Sequence, residues 1–193
     1  MSVENKKSKE PACIFFDLGK VLVDYDFNLA YNYLKKSSSL PESEYNQRIR
    51  KIEELNIDYE SGQIETRAFF QSMADTFEFN GTIDSLISAW ANIFSPITKH
   101  IEIAGCLAKA YPLAIISNTS EAHIELLEAK YSFFSHFRER IYSYAVGSRK
   151  PDSEIYEHAR NLMQSESSKL LFIDDRIENT NAAANLGWMT IHL

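Results

Sequence analysis

Cysteine is scarce in this chain, with only Cys13 and Cys106 in 193 residues. Neither stands in a CxxC or metal-ligand spacing, so a disulfide scaffold and a thiolate metal site are not indicated. Both sit in apolar runs, Ala12-Cys13-Ile14 and Gly105-Cys106-Leu107, and are expected as reduced, buried thiols. Long apolar runs are also missing. None approaches the roughly 20 residues of a membrane span, and Met1 to Glu10 is polar, without the apolar stretch of a signal peptide. A soluble cytoplasmic protein without a membrane partner is expected. Positive charge is in deficit, with 20 Lys and Arg against 27 Asp and Glu and a net charge of −7. That balance disfavours nucleic acid as a partner, yet it allows one small anion in a locally positive site. The five histidines, His100, His123, His136, His158 and His192, show no metal-ligand spacing. No internal repeat or low-complexity tract is present.

What is present is ordinary globular composition, 45% hydrophobic, 24% charged and 12% aromatic. The length suits one domain of ordinary size, or one domain carrying a smaller insert. Ala12 to Phe16, Leu113 to Ile116 and Leu170 to Ile173 are short continuous apolar runs. Such runs suit strands buried on both faces of a parallel sheet. Lys20 to Asp24, Arg140 to Tyr144 and Met189 to Leu193 read as further extended pieces. Helical spacing separates the runs, as in Ile124, Leu127 and Tyr131, or Ile155, Ala159 and Leu162. Alternating strands and helices predict an α/β fold, a Rossmann-like parallel sheet with helices on both faces. From Phe27 to Phe94 the pattern is helical throughout, with Ile49, Ile52 and Leu55, then Phe69, Met73 and Phe77, then Ile83, Leu86 and Trp90. Ser61-Gly62 and Asn80-Gly81 mark turns. This block is expected to be a small helical bundle packed on its aromatics. Residues 1–10 are expected as a loose tail.

Three apolar strands end in polar groups, at Asp17, at Ser117-Asn118 and at Asp174-Asp175. Ligands of open α/β sheets bind beyond the carboxyl ends of the strands, so these groups are expected to converge. Three carboxylates in one crevice repel unless a cation offsets them, and hard oxygen ligands suit Mg²⁺. Asp174-Asp175 also suits a plain helix start. Ser117 to Ser120 stands between a strand and a helix, where hydroxyls, an amide and free N–H groups can hold an anion or cap the helix. Gly147 to Asp152 is a loop whose Lys150 can neutralise both a carboxylate and a phosphate, with Arg149 as the less favoured competitor.

Together these segments resemble the haloacid dehalogenase superfamily. Asp17-Leu18-Gly19-Lys20-Val21-Leu22 resembles its first motif, Ser117-Asn118-Thr119 its second, Lys150-Pro151-Asp152 its third, and Asp174-Asp175 with Asn179 its fourth. The resemblance implies a core of residues 11–26 and 95–193 and a helical C1 cap over 27–94. Within the cap, Tyr59-Glu60-Ser61-Gly62-Gln63-Ile64 and Trp90-Ala91-Asn92-Ile93-Phe94 are similar to the subgroup of bacterial α-D-glucose-1-phosphate phosphatases.

The resemblance further implies a monomeric phosphatase of small phosphorylated metabolites, with sugar phosphates expected as substrates. Asp17 would attack the phosphomonoester and form an aspartyl-phosphate. Mg²⁺ would be held by Asp17, the Gly19 carbonyl, Asp174 and Asp175. Ser117, Asn118 and Lys150 would hold the phosphoryl oxygens. One departure stands out, because Gly19 occupies the position where most phosphatases of the superfamily carry an acid/base Asp. General acid–base help is typically worth ~10²–10⁴-fold. An anomeric sugar phosphate, with its better leaving group, needs less of that help. Asp24, Asp26 or a cap residue is the expected substitute, and Lys20 is either a phosphate neighbour or a solvated charge. Two other readings are a catalytically idle binding or regulatory protein, suggested by Gly19 alone, and a 2-haloacid dehalogenase.

Overall fold

The computed structural model describes residues 10–193. The expected loose tail therefore lies outside the described residues, apart from Glu10. Five parallel strands form the main sheet in the order β5-β4-β1-β6-β7. They are β1 (Cys13–Phe16), β4 (Leu113–Ser117), β5 (Glu139–Tyr142), β6 (Leu170–Asp174) and β7 (Met189–His192). The three central strands are the three continuous apolar runs, because only a strand covered on both faces has two apolar faces to bury.

Successive side chains of β1 point to opposite faces. Cys13 and Phe15 pack with Phe172, Tyr156 and Trp188. Ile14 and Phe16 pack with Ile124, Leu127 and Phe137. Helices α8 (Ser153–Met163) and α9 (Ile177–Asn185) contribute to the first layer, and α5 (Thr98–Leu107) and α6 (Glu121–Lys130) to the second. Phe15 and Phe172 are fully buried, and truncating either to Ala would cost about 3–5 kcal/mol.

Between β2 (Val23–Tyr25) and β3 (Phe94–Pro96) the chain forms four helices, α1 (Phe27–Lys36), α2 (Glu42–Glu60), α3 (Thr66–Thr76) and α4 (Ile83–Ala91). The two short strands pair antiparallel, with Tyr25 opposite Phe94, so the insert leaves and re-enters the core at one ribbon. Asp26 caps α1 by accepting from the Asn28 N–H at 2.9 Å. Thr82 caps α4 through the Ser85 N–H at 3.2 Å. The insert has its own core around Phe69, Phe70, Met73, Phe77 and Trp90, which are all buried. Among the aromatics of the insert, on which the bundle was expected to pack, Tyr33 is exposed. No helix among the described residues is long and apolar enough to cross a membrane.

Three local expectations change. Cys106 is exposed, while Cys13 is buried. The inward stripe of α5 runs through Ile101, Ala104, Leu107 and Ala108, and Cys106 falls on its other side. The strand expected at Arg140 to Tyr144 ends at Tyr142, and Ser143 opens a four-residue helix, α7 (Ser143–Val146). Ser143 Oγ accepts from the Thr119 N–H at 3.0 Å and donates to the Thr119 carbonyl at 3.1 Å, which turns the chain there. The extended piece expected over Lys20 to Asp24 is a strand only from Val23. Before it the backbone turns, with the Leu22 and Val23 N–H groups donating to the Leu18 carbonyl and Lys20 at φ 59°.

Candidate active site

The sheet register decides what meets at the carboxyl edge. Phe16 lies level with Ile115 on one side and Ile173 on the other. One residue further, Asp17 emerges beside Asp174, with Ser117 and Asp175 just beyond. Asp17 is 7% exposed. Its Oδ1 accepts from the Leu18 N–H at 2.7 Å and from Lys150 Nζ at 2.8 Å. Lys150 Nζ also donates to Asp174 Oδ2 at 2.6 Å. One ammonium thus bridges two buried carboxylates.

The loop that delivers Lys150 is held by its neighbour strand end. Asn118 Oδ1 accepts from the Lys150 N–H, and Asn118 Nδ2 donates to the Lys150 carbonyl, both at 2.8 Å. Asp174 is fully buried. Its Oδ1 accepts from the Arg176 N–H at 2.8 Å, and both of its oxygens meet Asn179 Nδ2 at 3.0 and 3.1 Å. The helix-start role of Asp174 and its place in the acidic group therefore coexist. Asp175 is only half-buried and lines the cavity. The Thr119 N–H is taken by Ser143, so it is not among the free donors expected after β4.

Asp17, Asp174 and Asp175 bring ligand oxygens within 4.8 Å of one another. Burial pushes the Asp17 carboxyl up to about 6, and Asp174 adds to the rise, while Lys150 and the Leu18 N–H oppose it. Asp175 is raised in the same direction, by burial and then by Asp174. One ammonium among three carboxylates leaves the group short of positive charge. Hard, clustered, under-neutralised oxygens fit a hard dication such as Mg²⁺.

Above this group lies a cavity of about 290 Å³. It brings together Asp17, Gly19, Ser117, Asn118, Lys150 and Asp175. Asp174 stays beneath, reached through Lys150. The insert closes the opposite side with Glu53, Asn56, Ile57 and Glu60 from α2. Arg149 stays clear of the three aspartates and pairs at 2.7 Å with Glu60, which lines the same cavity. The same stretch docks elsewhere on the core. The Ala122 N–H faces Tyr59 Oη at 3.4 Å, and a Cβ on Gly62 would stand 2.2 Å from the Tyr144 carbonyl oxygen. Gly62 also has φ +70°, so the approach and the conformation both require glycine there.

Gly19 has a comparable explanation. A Cβ there would stand 3.0 Å from the Tyr25 ring, which occupies the space beside it. Lys20 is exposed and paired with Asp24, and its ammonium sits 4.5 Å from the Tyr25 ring centre. Asp24 is engaged by Lys20, and Asp26 by the cap of α1. Neither lines the cavity. Reading the sequence missed Tyr25, Asn56, Glu60 and His123 as cavity residues. Only the Tyr59 to Ile64 motif hinted at Glu60. His123 carried no signal, being one histidine on a helix face.

Known proteins place this geometry. Residues 11–187 match the family described as haloacid dehalogenase-like hydrolase. A D-ribitol-5-phosphate phosphatase of Bacteroides thetaiotaomicron is 25% identical over 186 residues, covering 92% of this chain and 89% of that protein. A haloacid dehalogenase family enzyme of the same organism, solved with magnesium and inorganic phosphate, superposes with TM-score 0.82. It is 22% identical, over 94% of this chain and 93% of that one. An L-2-haloacid dehalogenase of Xanthobacter autotrophicus shares the fold at TM-score 0.68 and 17% identity, over 95% and 77% of the two chains.

Proposed function

This chain belongs to the haloacid dehalogenase-like hydrolases, and we propose that it is a Mg²⁺-dependent phosphatase of small phosphomonoesters, sugar or sugar-alcohol phosphates among them. The observation that carries the reading is the buried bridge of Lys150 between Asp17 and Asp174, set under a cavity of substrate size. The D-ribitol-5-phosphate phosphatase similar along nearly its whole length supports a polyol or sugar ester. The core of 11–26 and 95–193 carries the chemistry, and the insert of 27–94 acts as the cap over the leaving group.

Asp17 is the nucleophile. Leu18 N–H and Lys150 hold Oδ1, which leaves Oδ2 to attack phosphorus in line. A P–O bond to Asp17 forms as the P–O bond to the alcohol breaks, and the departing alkoxide takes its proton from water. Water then attacks phosphorus and releases a proton to solvent, the bond to Asp17 breaks, and phosphate departs with the carboxylate restored. Ser117, Asn118 and Lys150 bind the phosphoryl oxygens, and Lys150 offsets their charge as the group transfers. Asp17, the Gly19 carbonyl and Asp175 would hold Mg²⁺, with Asp174 fixed behind them by Arg176 N–H, Asn179 and Lys150. When bound, the metal supplies charge neutralisation at the transferring phosphoryl group. Gly19 moves no proton, so esters with good leaving groups should react fastest.

The test is phosphate release from a panel of sugar, polyol and aryl phosphates with and without Mg²⁺, beside Asp17→Asn. Release that needs both Mg²⁺ and Asp17 is the expected result. A folded, metal-binding protein that releases no phosphate from any ester defeats the reading and favours an idle binding protein.

A further inference from the structure

Tyr25 belongs to β2, on the ribbon where the chain leaves the core for the insert. It lines the cavity together with Asp17, Gly19 and Asp175. Its sequence neighbours Asp24 and Asp26 are exposed and do not line it. The ring is held on several sides. Phe27 and Phe94 meet it edge-on, with ring centres 5.5 and 6.1 Å away. The Lys20 ammonium lies 4.5 Å from the ring centre and donates to the Tyr25 carbonyl at 3.3 Å. The Tyr25 N–H donates to Asp24 Oδ1 at 2.8 Å. Backbone and ring are thus fixed, while the hydroxyl is left unengaged.

The hydroxyl end of the ring is the end that leans on Gly19. From the Cβ position of residue 19, Tyr25 Cε1 is 3.0 Å away and Cδ1 3.6 Å. Cε1 is bonded to the carbon that carries the hydroxyl. Tyr25 Oη has no hydrogen-bond partner among the described residues. Nor is it sealed by its neighbours, as Trp90 Nε1 and His123 Nε2 are. The residue is half-buried, so its hydroxyl opens into the space that the residue lines. Electrostatics place it near the acidic group as well. Burial raises the Tyr25 pKa, Lys20 opposes the rise, and Asp175 and then Asp17 add to it. Other polar groups of the cavity are committed. Lys150 bridges Asp17 and Asp174, Asn118 clasps the Lys150 backbone, and Arg149 and Asn56 both donate to Glu60.

We propose that Tyr25 is a catalytic residue, whose Oη–H donates a hydrogen bond to the leaving-group oxygen as its bond to phosphorus breaks. The inference rests on the phosphatase reading above. In that reading Ser117, Asn118 and Lys150 meet the phosphoryl oxygens, and no group meets the oxygen that departs. Tyr25 stands on the ribbon between the core, which holds the phosphoryl group, and the insert, which covers the leaving group. A fixed neutral donor placed where negative charge grows stabilises the transition state more than the ground state. Water still supplies the proton of the freed alcohol, so the proton balance is unchanged. Gly19 and Tyr25 act together in this arrangement, because a side chain at residue 19 would press on the ring that carries the donor. Lys20 has a place in it too, as the cation that holds that ring.

The experiment measures kcat/KM for 4-nitrophenyl phosphate, phenyl phosphate and a pentitol 5-phosphate on the Mg²⁺-loaded full chain, beside Tyr25→Phe. Nitrophenolate departs with little help, phenolate needs more, and an alkoxide needs most. Tyr25→Phe keeps the ring between Phe27, Phe94 and Lys20 and removes only the hydroxyl. The pentitol ester should lose on the order of 100-fold, phenyl phosphate about tenfold, and 4-nitrophenyl phosphate about twofold or less. A displaced ring or a misfolded fraction lowers all three alike, so the graded loss separates a donor to the leaving oxygen from a structural role. Loss that does not grow with the pKa of the leaving alcohol, or no loss on any ester, overturns the role of Tyr25 and leaves the phosphatase standing. No phosphate release from any of the three by the unsubstituted chain defeats the phosphatase and this inference with it.

Discussion

At the sheet end of the cavity, Asp17, Lys150, Asp174, Asn118 and Asn179 answer one another's hydrogen bonds. At the insert end, Asn56, Trp90 and His123 each keep a buried polar atom that no group among the described residues answers. The sheet end is therefore set before any ligand arrives. Its groups sit where attacking and transferred atoms must be placed within fractions of an ångström, and rigid strand ends provide that placement. The insert end instead has its unanswered groups on helices α2, α4 and α6, beside the rings of Phe27, Trp90 and His123. The two ends thus differ in how completely their polar groups are paired.

Breaking the sheet end should have the largest effect. Asp17→Asn is expected to lower kcat roughly 10⁴-fold or more, read by continuous phosphate release, because the proposed mechanism gives the covalent bond to Asp17 alone. Lys150→Met comes next. It removes the bridge and leaves Asp17 and Asp174 buried and uncompensated. Urea unfolding should report a loss of about 3–5 kcal/mol, and kcat should fall about 10²–10³-fold. A Lys150→Met protein of unchanged stability would show that the ammonium contributes little to holding this end together.

The insert end is more forgiving, and a change at its docking point sharpens the comparison. Gly62→Ala forces a Cβ against the Tyr144 carbonyl at a φ of +70°. The strain should cost about 1–3 kcal/mol and appear as faster amide exchange in α2, with the strands of the main sheet still protected. Uniform loss of protection would mean that insert and core unfold as one unit. The smallest effect concerns pH. The neutral His123 is protonated more readily when unfolded, near 6.5, than when folded, near 4. Its contribution to stability is present above about 6.5 and is lost as pH falls toward 4. Between pH 7 and 5.5 that loss is about 1 kcal/mol. In His123→Phe the slope of stability against pH should flatten by this amount in chemical denaturation, and an unchanged slope would place the imidazole in a hydrated environment.

Much of the fold is legible in the residues. Ala12 to Phe16, Leu113 to Ile116 and Leu170 to Ile173 are apolar without alternation, and they become the three central strands. Phe69, Met73 and Phe77 repeat at helical spacing; the first two lie on the buried face of α3, and Phe77 is buried at its C-terminal cap. Edges are less legible. Ser143 continues the apparent strand pattern of Arg140 to Tyr142, but its hydroxyl bonds to Thr119, which is remote in sequence and turns the chain into a helix. Cys106 shares an apolar neighbourhood with Leu107, but one step along a helix rotates the side chain by roughly 100° onto the outer face.

By itself the sequence determined which residues stand at strand ends, because the length of each apolar run fixes where its strand stops. That placed Asp17, Ser117, Asn118, Asp174 and Asp175 at one edge, and Lys150 in a loop able to reach it. Only the tertiary structure decided which of them touch. The parallel register set Asp17 beside Asp174, Asn118 clasped the Lys150 backbone, and Arg149 went to Glu60. It alone stacked His123 on Trp90 and brought Asn56 and His123 to the wall of one cavity. Those three come from different helices, so no local periodicity links them. Their proximity arises from how the insert packs on the core, a long-range contact that no single stretch of sequence encodes.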